Sequence, residues 1–297
     1  MSNKQILITG ATNGIGLAAA QRLAALGADV AIVGRNETRT HIAAAQIRAA
    51  ARGATVGTLL ADLSSQAAVR KLAAEVLARY PRLDVLVNNA GAMHTTRQLT
   101  VDGIELTWAV NHLASFLLTT LLLDRLKASA PASIITTASA AHQGAHIPFD
   151  DLNAERVYRG FGRYKQTKLA NILLTNELAR RLEGTGVTAH CFHPGLVASG
   201  FNRNNGLLMD LAMTILRPVS RNVEQSAETL VWLVTSADVD RRNGGYYVDM
   251  ERVAPSPEAQ DKDTARRLWQ VSEAQCGSRR TTAEAPSSDP FFGASPR

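Results

Sequence analysis

The segment FGRYKQTKLANILLTNELARRLE carries Tyr164 and Lys168, four residues apart. In a helix that spacing places both side chains on one face. An ammonium a few ångströms from a phenol favours the phenolate, and a second nearby cation acts in the same direction. Moving a tyrosine from its usual pKa of about 10 toward 7 takes about 4 kcal/mol, within reach of two cations in a shielded cleft. The pair therefore predicts a tyrosine that exchanges protons near neutral pH. A tyrosine and a lysine at this spacing also occur on ordinary wet helix faces, so the elements around them decide what they mean.

Those elements alternate. Short β-branched runs, QILIT, DVAIV, TVGTLL, LDVLVN, ASIITTA, VTAHCFH and GYYVD, are separated by alanine-rich stretches of helical period near residues 15–27, 37–52, 66–79, 101–128, 160–184 and 222–237. This alternation predicts an α/β fold of the Rossmann type, a doubly wound, seven-stranded parallel sheet with helices on both faces. Residues 1–250 are expected to form one domain. A C-terminal extension over 251–277 carries a further helix in SPEAQDKDTARRLWQVSEAQC, with Ala265, Leu268, Trp269 and Val271 as docking residues. The last stretch, 278–297, has three prolines and almost no periodicity, and is expected to be disordered.

The first strand runs directly into Gly10, Gly14 and Gly16, and a helix begins at once. Such a turn presents the main-chain amides across Thr12, Asn13, Gly14, Ile15 and Gly16, together with the positive helix end, to a diphosphate. Side chains at the glycines would block close approach of the backbone to a dinucleotide or of the helix to the strand. At the end of the second strand, where an NAD-binding chain would place a carboxylate for the ribose diol, Gly34 and Arg35 follow Val33. Glycine removes the charge that would repel a 2'-phosphate, and a guanidinium offers it a planar, doubly donating partner. NADP(H) is therefore expected in preference to NAD(H), whether or not Arg35 also precedes a helix capped by Asn36.

With these features in place the chain resembles the short-chain dehydrogenases/reductases. TGATNGIG stands at Thr9 to Gly16, NNAG at 88–91 after the fourth strand and YKQTK in the sixth helix, in the family's order over about residues 4–250. The segments FDDLN before the tyrosine, TKLANILLTNELARRLEGTGVTAHCFHPG after it and ARRLWQVSE near the C-terminus are similar to the retinol dehydrogenase-like branch. Ala114 and Ser115 depart from the glycine and histidine usual there. The resemblance implies a catalytic set of Asn111, Ser139, Tyr164 and Lys168. In it Tyr164 exchanges the proton, Ser139 stabilises developing charge, and Lys168 lowers the tyrosine pKa and bonds the cofactor ribose. Asn111 holds a water that links Lys168 to solvent. The resemblance further implies that Asp62 and Leu63 and the turn Asn89, Ala90, Gly91 line the adenine side, and that Pro194, Gly195, Val197 and Ser199 meet the carboxamide. A substrate lid is implied near 196–221, where GLLMDLAMTILRP is apolar and flexible enough for a lipophilic carbonyl or alcohol. Copies of the chain are implied to pair through the helices holding Asn111 and Tyr164.

Composition narrows the remaining choices. Apolar residues at 45% and charged residues at 20% suit a chain with a buried core and no membrane span, and MSNKQILITG leaves no room for a signal peptide, so a cytoplasmic location is expected. The formal charge of +6 is spread among acidic residues and is accounted for by an anionic cofactor without nucleic acid. Two cysteines are too few for a disulfide framework, and His142 and His146 fall in a glycine-containing loop, so no metal is expected. The expected activity is hydride transfer between the cofactor and a hydrophobic ketone or aldehyde. Reduction of a ketone or a double bond of a polycyclic secondary metabolite, and a non-catalytic NADP-binding regulator or scaffold, are the alternatives.

Overall fold

Seven parallel strands carry the fold: β1 (Gln5–Thr9), β2 (Asp29–Gly34), β3 (Val56–Leu60), β4 (Val85–Asn88), β5 (Ala132–Thr137), β6 (Val187–His193) and β7 (Tyr246–Val248). They are seen in a computed structural model that describes residues 1, 4–51, 53–195, 222–236, 239 and 243–277. The strand order is β3-β2-β1-β4-β5-β6-β7, with β8 (Glu251–Val253) added antiparallel to β7 at the edge. Among the described residues the sheet thus has eight strands where the sequence predicts seven. Asp249 and Met250 both take positive φ and turn the chain back on itself; hairpin turns of this kind usually announce themselves by Asn-Gly or Asp-Gly, and this one does not.

Helices cover both faces. Helices α1 (Gly14–Ala25) and α2 (Glu37–Ala50) bury alanines and leucines against Ile6, Ile8, Val30 and Ile32. On the opposite face α3 (Gln66–Arg79), α5 (Ala114–Ala128) and α6 (Gly160–Arg181) pack on Leu7, Ala31, Leu86 and Ile134. Helix α7 (Val223–Thr235) joins the first layer. Every parallel strand delivers its C-terminal end to the same rim, and the order reverses between β1 and β4, where α/β sheets open a crevice for ligands.

The helix predicted over 101–128 begins later. Leu99 and Glu105 form an antiparallel bridge, and Glu105 then caps a short α4 (Leu106–Trp108) by accepting from the N–H groups of Thr107 and Trp108, both at 2.9 Å. A π-turn over Ala109–Leu113 follows before α5. The stretch Leu106–Ala128 is long and apolar enough to cross a bilayer by length and composition, and most of it is buried inside this fold.

Helix α8 (Lys262–Gln275) packs against α6. Ala265, Leu268 and Trp269 are buried as the pattern predicts, with Trp269 edge-on to Phe116 at 4.9 Å and beneath the Arg181 guanidinium. Val271 stays partly exposed, and Ser272 takes the buried place instead, its hydroxyl 2.8 Å from Nε2 of His112. The chain's own C-terminal helix thus packs on α6 and reaches Phe116 of α5.

A buried ion pair fixes the approach of α6. Nε of Arg163 donates to Glu105 at 2.7 Å, both side chains being almost fully buried, and the guanidinium lies over the Trp108 ring. Arg163 immediately precedes Tyr164, so this pair sets how α6 is rotated about its axis. Glu105→Ala would strand the guanidinium and uncap α4. It should lower unfolding free energy by about 3–5 kcal/mol in urea denaturation; a loss below about 1 kcal/mol would contradict this account.

Candidate active site

At the rim the glycine turn is shaped by contact. Gly10 has φ +67°, and a Cβ there would sit 2.8 Å from Cα of Ala90. A Cβ at Gly16 would meet Nδ2 of Asn89 at 2.5 Å and the carbonyl oxygen of Gly10 at 2.6 Å. Asn13 stands at the N-cap of α1 without a side-chain cap bond, so the first amides of the helix, after Thr12 and at Gly14 and Ile15, are left for another acceptor. These residues fit the diphosphate of a dinucleotide.

Asn89 binds the neighbouring strand ends together. Its Nδ2 donates to the carbonyls of Thr9 (3.0 Å) and Gly10 (3.2 Å), and its Oδ1 accepts from Thr137 (3.3 Å). Thr9 Oγ1 in turn accepts from the N–H groups of Asn89 (3.0 Å) and Ala90 (3.1 Å). Sequence reasoning missed Thr9 and Thr137 as site residues; a threonine at the last position of β1 and of β5, the strands on either side of β4, was the available signal.

At the end of β2, Arg35 is exposed, and Asn36 caps α2 by accepting from the Arg39 N–H at 3.0 Å. Gly34 has a packing reason as well as an electrostatic one, since a Cβ would lie 2.0 Å from the Thr40 hydroxyl and 2.6 Å from the Thr12 methyl. After β3, Asp62 is exposed and accepts from the Ser64 N–H (3.0 Å) and hydroxyl (2.8 Å), Leu63 packs against the core, and Ser65 caps α3. Pro194 and Gly195 follow β6, Gly195 with φ +85°. Val197, Ser199 and the expected lid over 196–221 lie outside the described residues, as does the tail 278–297.

The four residues of the expected catalytic set converge. Ser139 hydrogen-bonds Tyr164 and accepts from the Ala141 N–H at 3.1 Å. Lys168 is buried, with Nζ 5.5 Å from the centre of the Tyr164 ring, and donates to the Thr137 carbonyl at 2.9 Å. Gly91 leaves the space between them and Asn111: a Cβ there would be 3.4 Å from Asn111 Oδ1 and 3.8 Å from Lys168 Nζ. The π-turn carries Asn111, whose amide accepts from the Ala92 N–H (2.7 Å) and donates to the Ala92 carbonyl (2.9 Å) and the Thr167 hydroxyl (3.0 Å). The amide is thus occupied in holding the loop after β4.

The tyrosine pKa is not depressed by the chain itself: burial pushes it up to about 12, against the opposing hydrogen bond from Ser139. Burial also pushes Lys168 down to about 8, and its ammonium donates to a neutral carbonyl. Desolvation outweighs the attraction that the spacing suggests. Among the described residues no cluster of His, Cys, Asp or Glu could hold a metal; His142 is buried and hydrogen-bonded within the fold, and His146 is exposed.

Residues 4–207 match the family model for short chain dehydrogenases, more than half of the chain. This chain belongs to that family. It falls in the retinol dehydrogenase-like branch: it is 41% identical to mouse (Mus musculus) retinol dehydrogenase 14, over 93% of this chain and 87% of the relative. It is 39% identical to human (Homo sapiens) retinol dehydrogenase 13, over 96% and 86%. Among solved structures, a short chain dehydrogenase from Burkholderia cenocepacia J2315 in complex with NADP aligns with a TM-score of 0.66 and 29% identity, covering 82% of this chain and 95% of the other. An uncharacterized protein from Mycobacterium Paratuberculosis aligns with a TM-score of 0.75 and 31% identity, over 93% and 94%. This short-chain dehydrogenase is an oxidoreductase with the Rossmann sheet of its relatives.

The buried lysine has a consequence for stability. A pKa lowered from 10.5 to about 8 disfavours the folded state below pH 8, by about 3 kcal/mol, and the cost disappears as pH rises toward 10.5. Asn171 Nδ2 still reaches the Thr137 carbonyl at 3.3 Å when the lysine is removed. Lys168→Met should therefore unfold at a temperature equal to or above the parent at pH 7, with the difference shrinking between pH 8 and 10. A variant less stable at pH 7 would show that the ammonium supports the fold.

Proposed function

We propose that this protein is an NADP(H)-dependent oxidoreductase that interconverts a hydrophobic ketone or aldehyde and its alcohol. The observation that carries this reading is the hydrogen bond between Ser139 and Tyr164 beside the buried Lys168, at the rim where the glycine turn opens. NADPH, when bound, supplies the hydride.

The chain's own residues account for the proton. Because burial keeps its pKa high, Tyr164 is a neutral phenol at physiological pH and can donate to a carbonyl oxygen. Ser139 has a hydroxyl positioned to donate to the same oxygen as charge develops. Lys168 adds a positive charge near the phenol, which stabilises the phenolate left after donation and helps the tyrosine act as a base in the reverse direction. Arg35, exposed at the end of β2 without a carboxylate at Gly34, supports selection of the 2'-phosphate of NADP(H) over NAD(H). The glycine turn, Asp62 and the Asn89–Gly91 turn hold the remainder of the dinucleotide. Relatives named for retinol support a lipophilic substrate.

Mixing the protein with NADPH and a panel of lipophilic aldehydes and ketones should consume reduced cofactor, followed by its absorbance, faster than with NADH. Tyr164→Phe should lower kcat by about 100-fold or more, the contribution expected of a positioned general acid. Undiminished turnover by that variant would overturn the mechanism.

A further inference from the structure

His142 has no part in the chemistry above, yet it touches the site. Its ring is buried edge-on against Tyr246, with centroids 5.2 Å apart. Nδ1 is 2.7 Å from the Ser139 carbonyl oxygen, and Nε2 is 3.1 Å from the main-chain nitrogen of Ser256. A main-chain N–H can only donate, so Nε2 must present its lone pair and the proton must sit on Nδ1. The ring is then a neutral relay of two hydrogen bonds, from Ser256 N–H to Nε2 and from Nδ1–H to Ser139. Burial, which lowers the His142 pKa against the pull of the Ser139 carbonyl and Glu258, favours the same state.

Both ends of that relay are anchored. Ser139 begins a 3-10 turn (Ala140–His142) in extended backbone, and its carbonyl accepts from the His142 main chain at 3.2 Å as well as from the ring. Its hydroxyl faces Ala141 and Tyr164. Ser256 follows β8 and precedes a second 3-10 turn (Pro257–Gln260), which α6 holds through Asn176 Nδ2 donating to the Ala259 carbonyl at 2.9 Å. A phenylalanine could fill the space against Tyr246; only a ring with one donor and one acceptor can join Ser139 to Ser256.

We propose that His142 is a positioning residue that sets the orientation of Ser139 toward Tyr164 and couples it to the C-terminal segment through Ser256. This rests on the roles proposed for Ser139 and Tyr164.

Two substitutions separate the bonds. In His142→Asn the amide nitrogen takes the place of Nδ1 and keeps the donor to Ser139; in His142→Gln the amide oxygen reaches toward Ser256 and the donor to Ser139 is lost. On a carbonyl that the parent reduces, His142→Gln should lower kcat about tenfold with KM for NADPH unchanged, while His142→Asn retains most of the rate. Added to Ser139→Ala, His142→Gln should have no further effect, because the hydroxyl it positions is gone. Equal losses in the two His142 variants, or an undiminished loss in the Ser139→Ala background, would overturn the proposal. Hydrogen exchange at the Ala141 amide, which donates to the Ser139 hydroxyl, reads the same coupling without turnover. It should quicken in His142→Gln and not in His142→Asn. That split in a protein that reduces no carbonyl would uphold the positioning role and defeat only the reductase reading; equal exchange in both variants would defeat the positioning role.

Discussion

Asn89 holds three strand ends in one arrangement, and the site is built outward from it. Its amide joins the carbonyls after β1 to the last hydroxyl of β5, while the Thr9 hydroxyl closes the loop by receiving the Asn89 and Ala90 amides. Ala90 is thereby pressed against Gly10 so closely that no side chain fits, and Asn89 against Gly16 likewise. The residue that follows, Gly91, leaves room for Lys168 and Asn111. The same Thr137 that bonds Asn89 through its hydroxyl anchors Lys168 through its carbonyl. Displacing this one turn would move both the cofactor cradle and the proton-handling residues.

Two buried cations are handled in opposite ways. Arg163 is matched by Glu105, the Trp108 ring and the Leu152 carbonyl, an arrangement that fixes α6. Lys168, five residues further along the same helix, donates to the Thr137 carbonyl and is pushed by burial toward its neutral form. A charge left uncompensated costs stability and remains available to respond to charge formed beside it. The high pKa of Tyr164 belongs to the same economy: a phenol that holds its proton in a desolvated site gives it up only when an acceptor is close.

Much of the frame was legible because its cause is local. The parallel strands are β-branched runs, the glycine turn follows β1 at once, and the Tyr164–Lys168 face follows from helical spacing. What escaped depended on long-range contact. Nothing in the apolar period of 106–128 marks the π-turn that carries Asn111, and the residues before it form a bridge because Glu105 is claimed by Arg163, 58 positions away. Strand β8 is exposed, and its turn at Asp249 and Met250 lacks the usual glycine or asparagine signal. Spacing reports the neighbours of Tyr164 and says nothing of the desolvation that raises its pKa in the chain alone. His142 looked like an unattached loop histidine, since its partner Ser256 is distant in sequence.

The central claim is that hydride passes from the cofactor to a carbonyl carbon while Tyr164 delivers the proton. The most direct measurement is the fate of a label: reduction of a lipophilic ketone with NADPH deuterated at the transferable position of the nicotinamide, in ordinary water. The account predicts deuterium on the carbinol carbon of the product and a tyrosine-dependent rate of its formation. Product carrying only solvent hydrogen at that carbon, or label transferred equally fast by Tyr164→Phe, would contradict it.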